Sequence, residues 1–402
     1  MVSSTPLTDD MLLEIFSHLP LNSTYKFKCL SKVWLSNLSH PEFITKWFKI
    51  NSKSLPWIQY YSTNDRRVTD EHADKNRLIA KMAYPESHSG FMSRNDHLFS
   101  LKFLMNQKPS GAELLVLGSS NGLVLCSVIL CPRRKKTDGL YHVCNPLTQE
   151  WVSLPPYIEG FGVSAIFCEH SSSFPSCFKV VRIREFETPS KKFIVDMFCS
   201  TLGVWESFQV SCDKNVVWGW SNKIVTLNGV LFWAEGGGML VCDLNQKNGS
   251  GGRRCSLIDL PDRVLDVNEF GIFDSRIGES EGRVCYAKIK WTASGRGMTV
   301  SIWVLNEVKW KILHRNISLD NVLAELLSRI GEEAAPIRVL GFSPVDRNVI
   351  LLGWKHWVWR LNIKTRSFEE LRLDNRRVHD AGVMILPFAL KPMPTVLPPP
   401  SW

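Results

Sequence analysis

The chain has 402 residues, 44% of them hydrophobic and 22% charged, and a formal net charge of +9 at pH 7. That length can bury the core of one large domain plus a small module, and such a composition excludes widespread disorder. Lys and Arg are spread along the chain instead of forming an arm, so the charge favours acidic surfaces mildly and leaves no nucleic-acid footprint.

The first predicted element is a helix. Thr8 ahead of Asp9 and Asp10 supplies a hydroxyl cap with two carboxylates in the first turn. Met11, Leu12, Ile15, Phe16 and Leu19 then follow the spacing of one apolar stripe, Leu13 lies off it, and Leu19-Pro20 ends the run. A second helix begins near Ser23 and carries Tyr25, Phe27, Cys29 and Leu30, and a third carries Val33, Trp34, Leu35 and Leu38. After Pro41, Phe43, Ile44, Trp47 and Phe48 repeat the four-residue spacing. A module of about 45 residues without a metal or disulfide pattern rarely holds together alone, so its surplus apolar positions call for cover from another chain or from the domain that follows.

The run PLTDDMLLEIFSHLPLNSTYKFKCLSKVWLSNLSHPEF, Pro6 to Phe43, resembles a plant-type F-box over nearly its whole length. The likeness is carried in order by Leu7, Glu14-Ile15-Phe16, Leu19-Pro20, Phe27-Lys28-Cys29, Ser31-Lys32, Trp34, Pro41 and Phe43. Where the family commonly has Leu-Pro at its start, this chain has Leu7-Thr8, which exchanges a proline helix start for a hydroxyl cap. The resemblance implies docking onto a Skp-type adaptor, and through it onto cullin and RING subunits of a ubiquitin ligase. The residues it implies are Leu7, Leu12, Ile15, Phe16, Leu19, Pro20, Leu21, Cys29 and Trp34. An F-box of this kind is not itself catalytic.

Beyond residue 50 the chain is mainly β. Trp57 to Tyr61 and Leu98 to Met105 read as strands that supply a further blade or join the C-terminus to close a ring. Asn121-Gly122 before LVLC and Asn228-Gly229 before VLFW are hairpin turns about two periods apart on a repeat of roughly 50 residues. A second series shares that period: polar turns precede Trp151, Trp205, Trp310 and Phe368, and the missing member falls near Leu257 after an insertion from Lys247 to Arg254. Units of three or four strands, such as Lys179 to Arg184, Lys192 to Phe198 and Ser207 to Val210, cannot cover both faces of their own sheet. Stacked radially they can, which predicts a β-propeller with five units between Glu113 and Leu386 and a blade number left open.

SSNGLVLC, VCNPLTQEWVSLPP, LNGVLFWAEGGGMLVCDL, GESEGRVCYAKI and SIWVLN, in order from Ser119 to Asn306, resemble the F-box-associated, kelch-like domains that follow plant F-boxes. The double-Gly kelch signature is confined to Gly236 to Gly238 and Gly251-Gly252. The expected organisation is an F-box over residues 1–50 and a kelch-like propeller over 51–402 with a proline-rich tail. Ser318 to Ile330 interrupts the strands as an amphipathic helix with Leu319, Val322, Leu323, Leu326, Leu327 and Ile330 on its apolar side.

Reactive groups are sparse. Cys126, Cys131, His142 and Cys144 cluster without a familiar zinc spacing, and neither a nucleophile with its base at Cys168, Glu169 and His170 nor a phosphate loop at Gly236 to Gly238 has the right surroundings. No cofactor is expected. Arg133 to Lys136 reads as a solvated hairpin loop or a nuclear import signal. Eleven Cys without CxxC pairs, no leader pattern and no long apolar run suggest reduced thiols in the cytoplasm or nucleus and no membrane contact. Most Trp side chains, Trp218, Trp220, Trp233, Trp291, Trp354, Trp357 and Trp359 among them, should fill the core between blades, with a minority lining the ring. The expected function is recognition of a protein target for ubiquitination. The rivals are a non-ligase F-box scaffold and a propeller enzyme, the latter lacking any convergent titratable set.

Overall fold

The computed structural model describes residues 7–51, 57–62, 77–78, 80–84, 100–106, 112–129, 139–146, 148–156, 162–168, 177–219, 224–235, 237–245, 253–261, 275–291, 297–330, 337–354, 357–373, 384–389 and 397. Four short helices come first: α1 (Asp9–Ser17), α2 (Leu21–Lys28), α3 (Lys32–Asn37) and α4 (Pro41–Asn51). Thr8 Oγ1 accepts from the Met11 N–H at 3.3 Å and Ser31 Oγ from the Trp34 N–H at 3.2 Å, capping α1 and α3. α2 starts two residues before the expected Ser23, because Pro20 fits the turn and its carbonyl takes the N–H groups of Ser23 and Thr24.

The strands β1 (Trp57–Ser62), β2 (Arg77–Leu78) and β3 (Ala80–Tyr84) follow. The strand expected at Leu98 to Met105 is instead a 3-10 helix over Leu101–Met105, capped by Ser100. Leu101 and Leu104 are both buried, and apolar residues three apart share a face in three-residue turns.

Four consecutive units then repeat a four-stranded antiparallel pattern. The first holds β4 (Glu113–Ser120), β5 (Leu123–Ile129), β6 (Gly139–Asn145) and β7 (Glu150–Ser153), and the second β8 (Gly162–Cys168), β9 (Phe178–Arg184), β10 (Ser190–Cys199) and β11 (Val204–Val216). The third holds β12 (Ile224–Leu227), β13 (Val230–Glu235), β14 (Gly238–Asp243) and β15 (Arg253–Asp259), and the fourth β16 (Ser275–Ser280), β17 (Arg283–Trp291), β18 (Met298–Asn306) and β19 (Lys309–Ser318). The helix α5 (Asp320–Ile330) separates these from a fifth unit of β20 (Arg338–Phe342), β21 (Val349–Trp354), β22 (Trp357–Asn362) and β23 (Ser367–Glu370). The sixth sheet joins the two ends of the chain: β24 (Arg372–Leu373), β3, β1 and β25 (Met384–Ala389), in that order, with Trp57 opposite Ala389 and Ser62 opposite Met384.

The strands β4, β8, β12, β16, β20 and β25 contact one another in sequence, and β25 returns to β4. The ring is therefore closed with six blades among the described residues. The blade number left open by the repeat is settled by β1 and β3, which enter the final blade with the C-terminal strand.

Apolar packing explains the stacking. One core cluster joins Leu125 and Val143 of the first blade to Ile166 and Phe178 of the second. Another joins Ile183 and Val210 of the second to Leu231 and Leu240 of the third, and a third joins Phe232 to Ile277 and Tyr286 of the fourth. Val300 and Ile302 of the fourth pack on Phe342 and Ile350 of the fifth, and Leu319 just ahead of α5 and Val322 within it seal the same cluster. From the first blade to the fifth, each sheet thus covers a face through its neighbour. Leu397 of the proline-rich tail is buried in the cluster between the first and second blades.

The hairpin turns repeat as the sequence indicates. Asn121-Gly122 and Asn228-Gly229 have positive φ at both central residues, and so does Glu281-Gly282. Gln149, Gly203 and Arg366 take positive φ two residues ahead of Trp151, Trp205 and Phe368. One irregularity stands out: the long outer strand β11 pairs in parallel with β15, aligning Val210 with Arg253 and Cys212 with Cys255, so the second and third blades form one eight-stranded sheet. Cys255 also faces Cys242 across β14 and β15, with the two sulfurs side by side.

Candidate functional site

The sequence-predicted contact residues lie on α1, α2, α3 and the turns between them. Phe16, Leu38, Phe43 and Trp47 form a buried core of their own, against which Leu12, Leu13, Leu19, Phe27 and Trp34 pack. Phe16 stacks on Phe27 with ring centroids 4.4 Å apart and meets Trp34 edge-on at 5.1 Å. The Trp47 indole donates to the Leu19 carbonyl at 2.9 Å, and the Asn51 amide donates to the Ser17 carbonyl at 2.7 Å, so α4 closes over the end of α1. Lys46 of α4 also donates to Glu14 of α1, and that bond holds the exposed carboxyl below its ordinary value. Burial pushes the Lys28 ammonium at the end of α2 down to about 8.

This core divides the apolar stripe of α1 in two. Leu12, Phe16 and Leu19 turn inward, while Leu7, Met11 and Ile15, each four residues from the next, are 51, 52 and 47% exposed. Pro20 and Cys29 are exposed as well, and Trp34 is half-buried. The side chain of Leu21 lies outside the described residues. Of the predicted contact set, Leu7, Ile15, Pro20 and Cys29 therefore present surface to solvent, whereas Phe16 belongs to the module's interior.

The structure adds exposed apolar residues to that set: Met11, Leu30, Val33 and Leu35. Met11 was legible as one spacing step from Leu7 and Ile15. Leu30, Val33 and Leu35 carried no sequence signal that separated outward from inward positions, because α3 has only six residues.

Among the described residues the ring offers little reactive geometry. Cys126 faces His142 across β5 and β6, and Cys144 donates to the Val124 carbonyl at 3.6 Å. Burial, then the neighbouring Cys126, pushes the Cys144 thiol well up. His142 Nδ1 bonds Ser153 Oγ at 3.0 Å and its ring meets Trp151 edge-on. Cys131 lies outside the described residues, and among those described no group of three or more His, Cys, Asp and Glu side chains is arranged to hold a metal ion. The Cys168 thiol donates to the Ser120 carbonyl at 3.3 Å, a bond between blades, while Glu169 and His170 lie outside the described residues. Gly237 forms the β13–β14 turn at φ +81°. Arg133 to Lys136, Trp220 and the side chains of Trp291, Trp354 and Trp357 are outside the described residues, whereas Trp233 and Trp359 are buried as expected of inter-blade core. No described helix is long and apolar enough to cross a membrane.

Residues 93–389 match a family model described as F-box protein At3g26010-like, beta-propeller. A relative in Arabidopsis thaliana described as an F-box protein, At3g23950, is 26% identical over 69% of this chain and 64% of its own length, so the match spans less than two thirds of that relative. F-box protein At5g07610 of the same plant is 22% identical over 93% of this chain and 87% of its own. An F-box/kelch-repeat protein, At4g22430, is 23% identical over 94% of this chain and 83% of its own.

Proposed function

We propose that this chain, which belongs to the At3g26010-like family of F-box β-propeller proteins, is the target-recognition subunit of a Skp-cullin-F-box ubiquitin ligase. In this reading residues 1–50 dock onto a Skp-type adaptor and residues 51–402, a kelch-like ring, bind the protein target, in the cytoplasm or nucleus. The chain transfers no group itself. It raises the target's concentration beside the ubiquitin-carrying enzyme that cullin and RING subunits supply.

The observation that carries the reading is the outward stripe Leu7, Met11 and Ile15 on a helical module that already has its own core. Apolar side chains left outside a satisfied core mark a surface to be covered by a partner. Leu30, Val33 and Leu35 extend the available apolar surface, and Pro20 and Cys29 are open at the same module's turns.

Proximity labelling by the full chain in plant cells tests ligase against scaffold. A ligase subunit gives labelled proteins that accumulate when the proteasome is inhibited, and Ile15→Asp abolishes that accumulation while still labelling them. A labelled set indifferent to both treatments would favour the non-ligase scaffold.

A further inference from the structure

The junctions between successive blades differ in what covers them. Between the first and second, Leu397 of the tail lies buried in the shared cluster, and Leu117 and Trp205 are the partly buried apolar residues packed against it. Between the second and third, β11 and β15 pair in parallel and bridge the gap. Between the fourth and fifth, Leu319 and Val322 of the segment that links the two blades enter the cluster. Each of these three junctions takes its cover from the chain itself.

Among the described residues, the junction between the third and fourth blades has no such cover, and its cluster draws on those two blades alone. Half-buried Val241, Ile258 and Leu260 flank it on the third blade, and half-buried Trp303 and Trp310 on the fourth. Ile258 is aligned with buried Met239, and Trp303 with buried Tyr286, so the two rows face each other across the gap. The Tyr286 ring centroid lies 5.5 Å from that of Trp303 and 5.8 Å from that of Trp310, which makes the fourth-blade wall aromatic. Half-buried apolar side chains on both walls of one groove mark a surface to be covered.

The molecule itself indicates the kind of occupant. Trp205 and Trp310 hold the same place in their blades, each donating its indole N–H to a main-chain carbonyl at the end of the preceding blade, that of Pro155 at 2.9 Å and that of Asp259 at 3.1 Å. The cluster that Trp205 packs against holds Leu397, which stands in the sequence between Pro394 and Pro398. A proline-flanked segment has little conformational freedom to lose and few N–H groups to bury, which suits it to an aromatic groove. We propose that the groove between the third and fourth blades docks an extended, proline-flanked segment of the target and takes a leucine side chain between Ile258 and Trp303, as the first junction takes Leu397. This rests on the reading of the ring as the target-binding part and names the class of segment that part selects.

The test titrates the full chain, whose first junction already holds its own Leu397, with a labelled peptide of the tail sequence from Lys391 to Trp402 and with the same peptide carrying Leu397→Asp. The tail peptide binds saturably, and the Leu397→Asp peptide binds about tenfold more weakly or worse, the scale of one lost apolar anchor. Ile258→Ser and Trp303→Ser, one on each wall, each weaken the tail peptide by about tenfold or more. A photoreactive group at Val396 of the peptide marks β15, β18 and β19 of the unaltered chain, a readout independent of how the variants fold. Marking confined to β7 and β11 would mean exchange with the chain's own tail and would overturn the site, as would equal affinity for the two peptides, no saturable binding, or unchanged affinity in both wall variants. Loss of the proximity-labelled targets from a Trp303→Ser chain that still binds the adaptor supports the dock. Capture of the same targets by that chain would overturn the dock while leaving target recognition by the ring standing.

Discussion

The indole N–H of Trp205 donates to the main-chain carbonyl of Pro155 at 2.9 Å, tying the outer strand of the second blade to the chain that leaves the first. Trp310 repeats the contact two blades on, donating to the Asp259 carbonyl at 3.1 Å. In these two repeats the marker tryptophan is thus a staple to the blade before it. Trp205→Phe keeps a ring and removes the donor, so it should lower unfolding stability by about 0.5–1.5 kcal/mol. Trp310→Phe should add a similar loss independently, since the two sites share no partner. Urea unfolding of the single and double variants measures both, and unchanged midpoints would refute the stapling role.

Asp196 is buried beneath Arg182, which is itself 1% exposed, and accepts from Arg182 at 3.2 Å, from Arg184 at 2.8 Å and from Ser207 at 2.7 Å. Burial works to raise its pKa, but the hydrogen bonds from Arg184 and Ser207 and the two guanidinium charges outweigh it, so the carboxyl titrates below its ordinary value. A depressed folded-state pKa contributes stability that is present above the unfolded value, about pH 4, and is lost as pH falls through the folded value. Asp196→Asn removes the carboxylate that Arg182 and Arg184 share and should cost about 3–5 kcal/mol at neutral pH. Its stability should also fall less steeply in acid than that of wild type. Unfolding curves from neutral pH down to about pH 3 test both statements, and parallel acid limbs would contradict the second.

How much of this was legible in the chain differs by scale. The turns before Trp151, Trp205 and Phe368 and the Asn-Gly hairpins could be read because positive φ demands particular residues within a few positions. Glu281-Gly282 was missed because a glutamate rarely takes that conformation, and here it bonds Arg347 across to the fifth blade. Ring closure depends on Trp57 meeting Ala389, a pairing between chain ends that no local pattern encodes. The parallel joining of β11 to β15 is likewise non-local. In the helical module the single stripe from Met11 to Leu19 was visible, but its division into inward Phe16 and outward Ile15 required knowing where α4 lies.

Gly278 marks a close approach between the fourth and fifth blades, where an added Cβ would meet the buried Phe342 ring at 2.6 Å. Gly278→Ala should therefore overpack the inner strands and cost about 1–3 kcal/mol. Gly282→Ala is the contrasting case, with open space around it and only the strain of φ +67° to bear. Pairing Gly278→Ala with Phe342→Leu should recover part of the loss in thermal unfolding. An absence of coupling between the two would place the strain elsewhere.

Thiol reactivity should follow burial. Desolvation pushes Cys285 up to about 12, and desolvation with the nearby Asp213 charge pushes Cys212 up to about 11, whereas Cys29 is exposed. Iodoacetamide at pH 8 should modify Cys29 in the native protein and reach Cys212 and Cys285 only after unfolding, as read by peptide mass mapping. Comparable native rates at all three would contradict the packing described between the blades.

The most direct test of the account is the affinity of the full chain for a Skp-type adaptor in wild type, Ile15→Asp and Ile194→Asp. Both isoleucines are exposed, at 47 and 42%, but only the first lies on the outward stripe of α1. Ile15→Asp should weaken adaptor binding by about a hundredfold or more, the scale of losing a buried apolar anchor, with an unfolding midpoint close to wild type. Ile194→Asp should bind as wild type does. Equal adaptor affinity in all three proteins would contradict the assignment of the helical stripe to a partner.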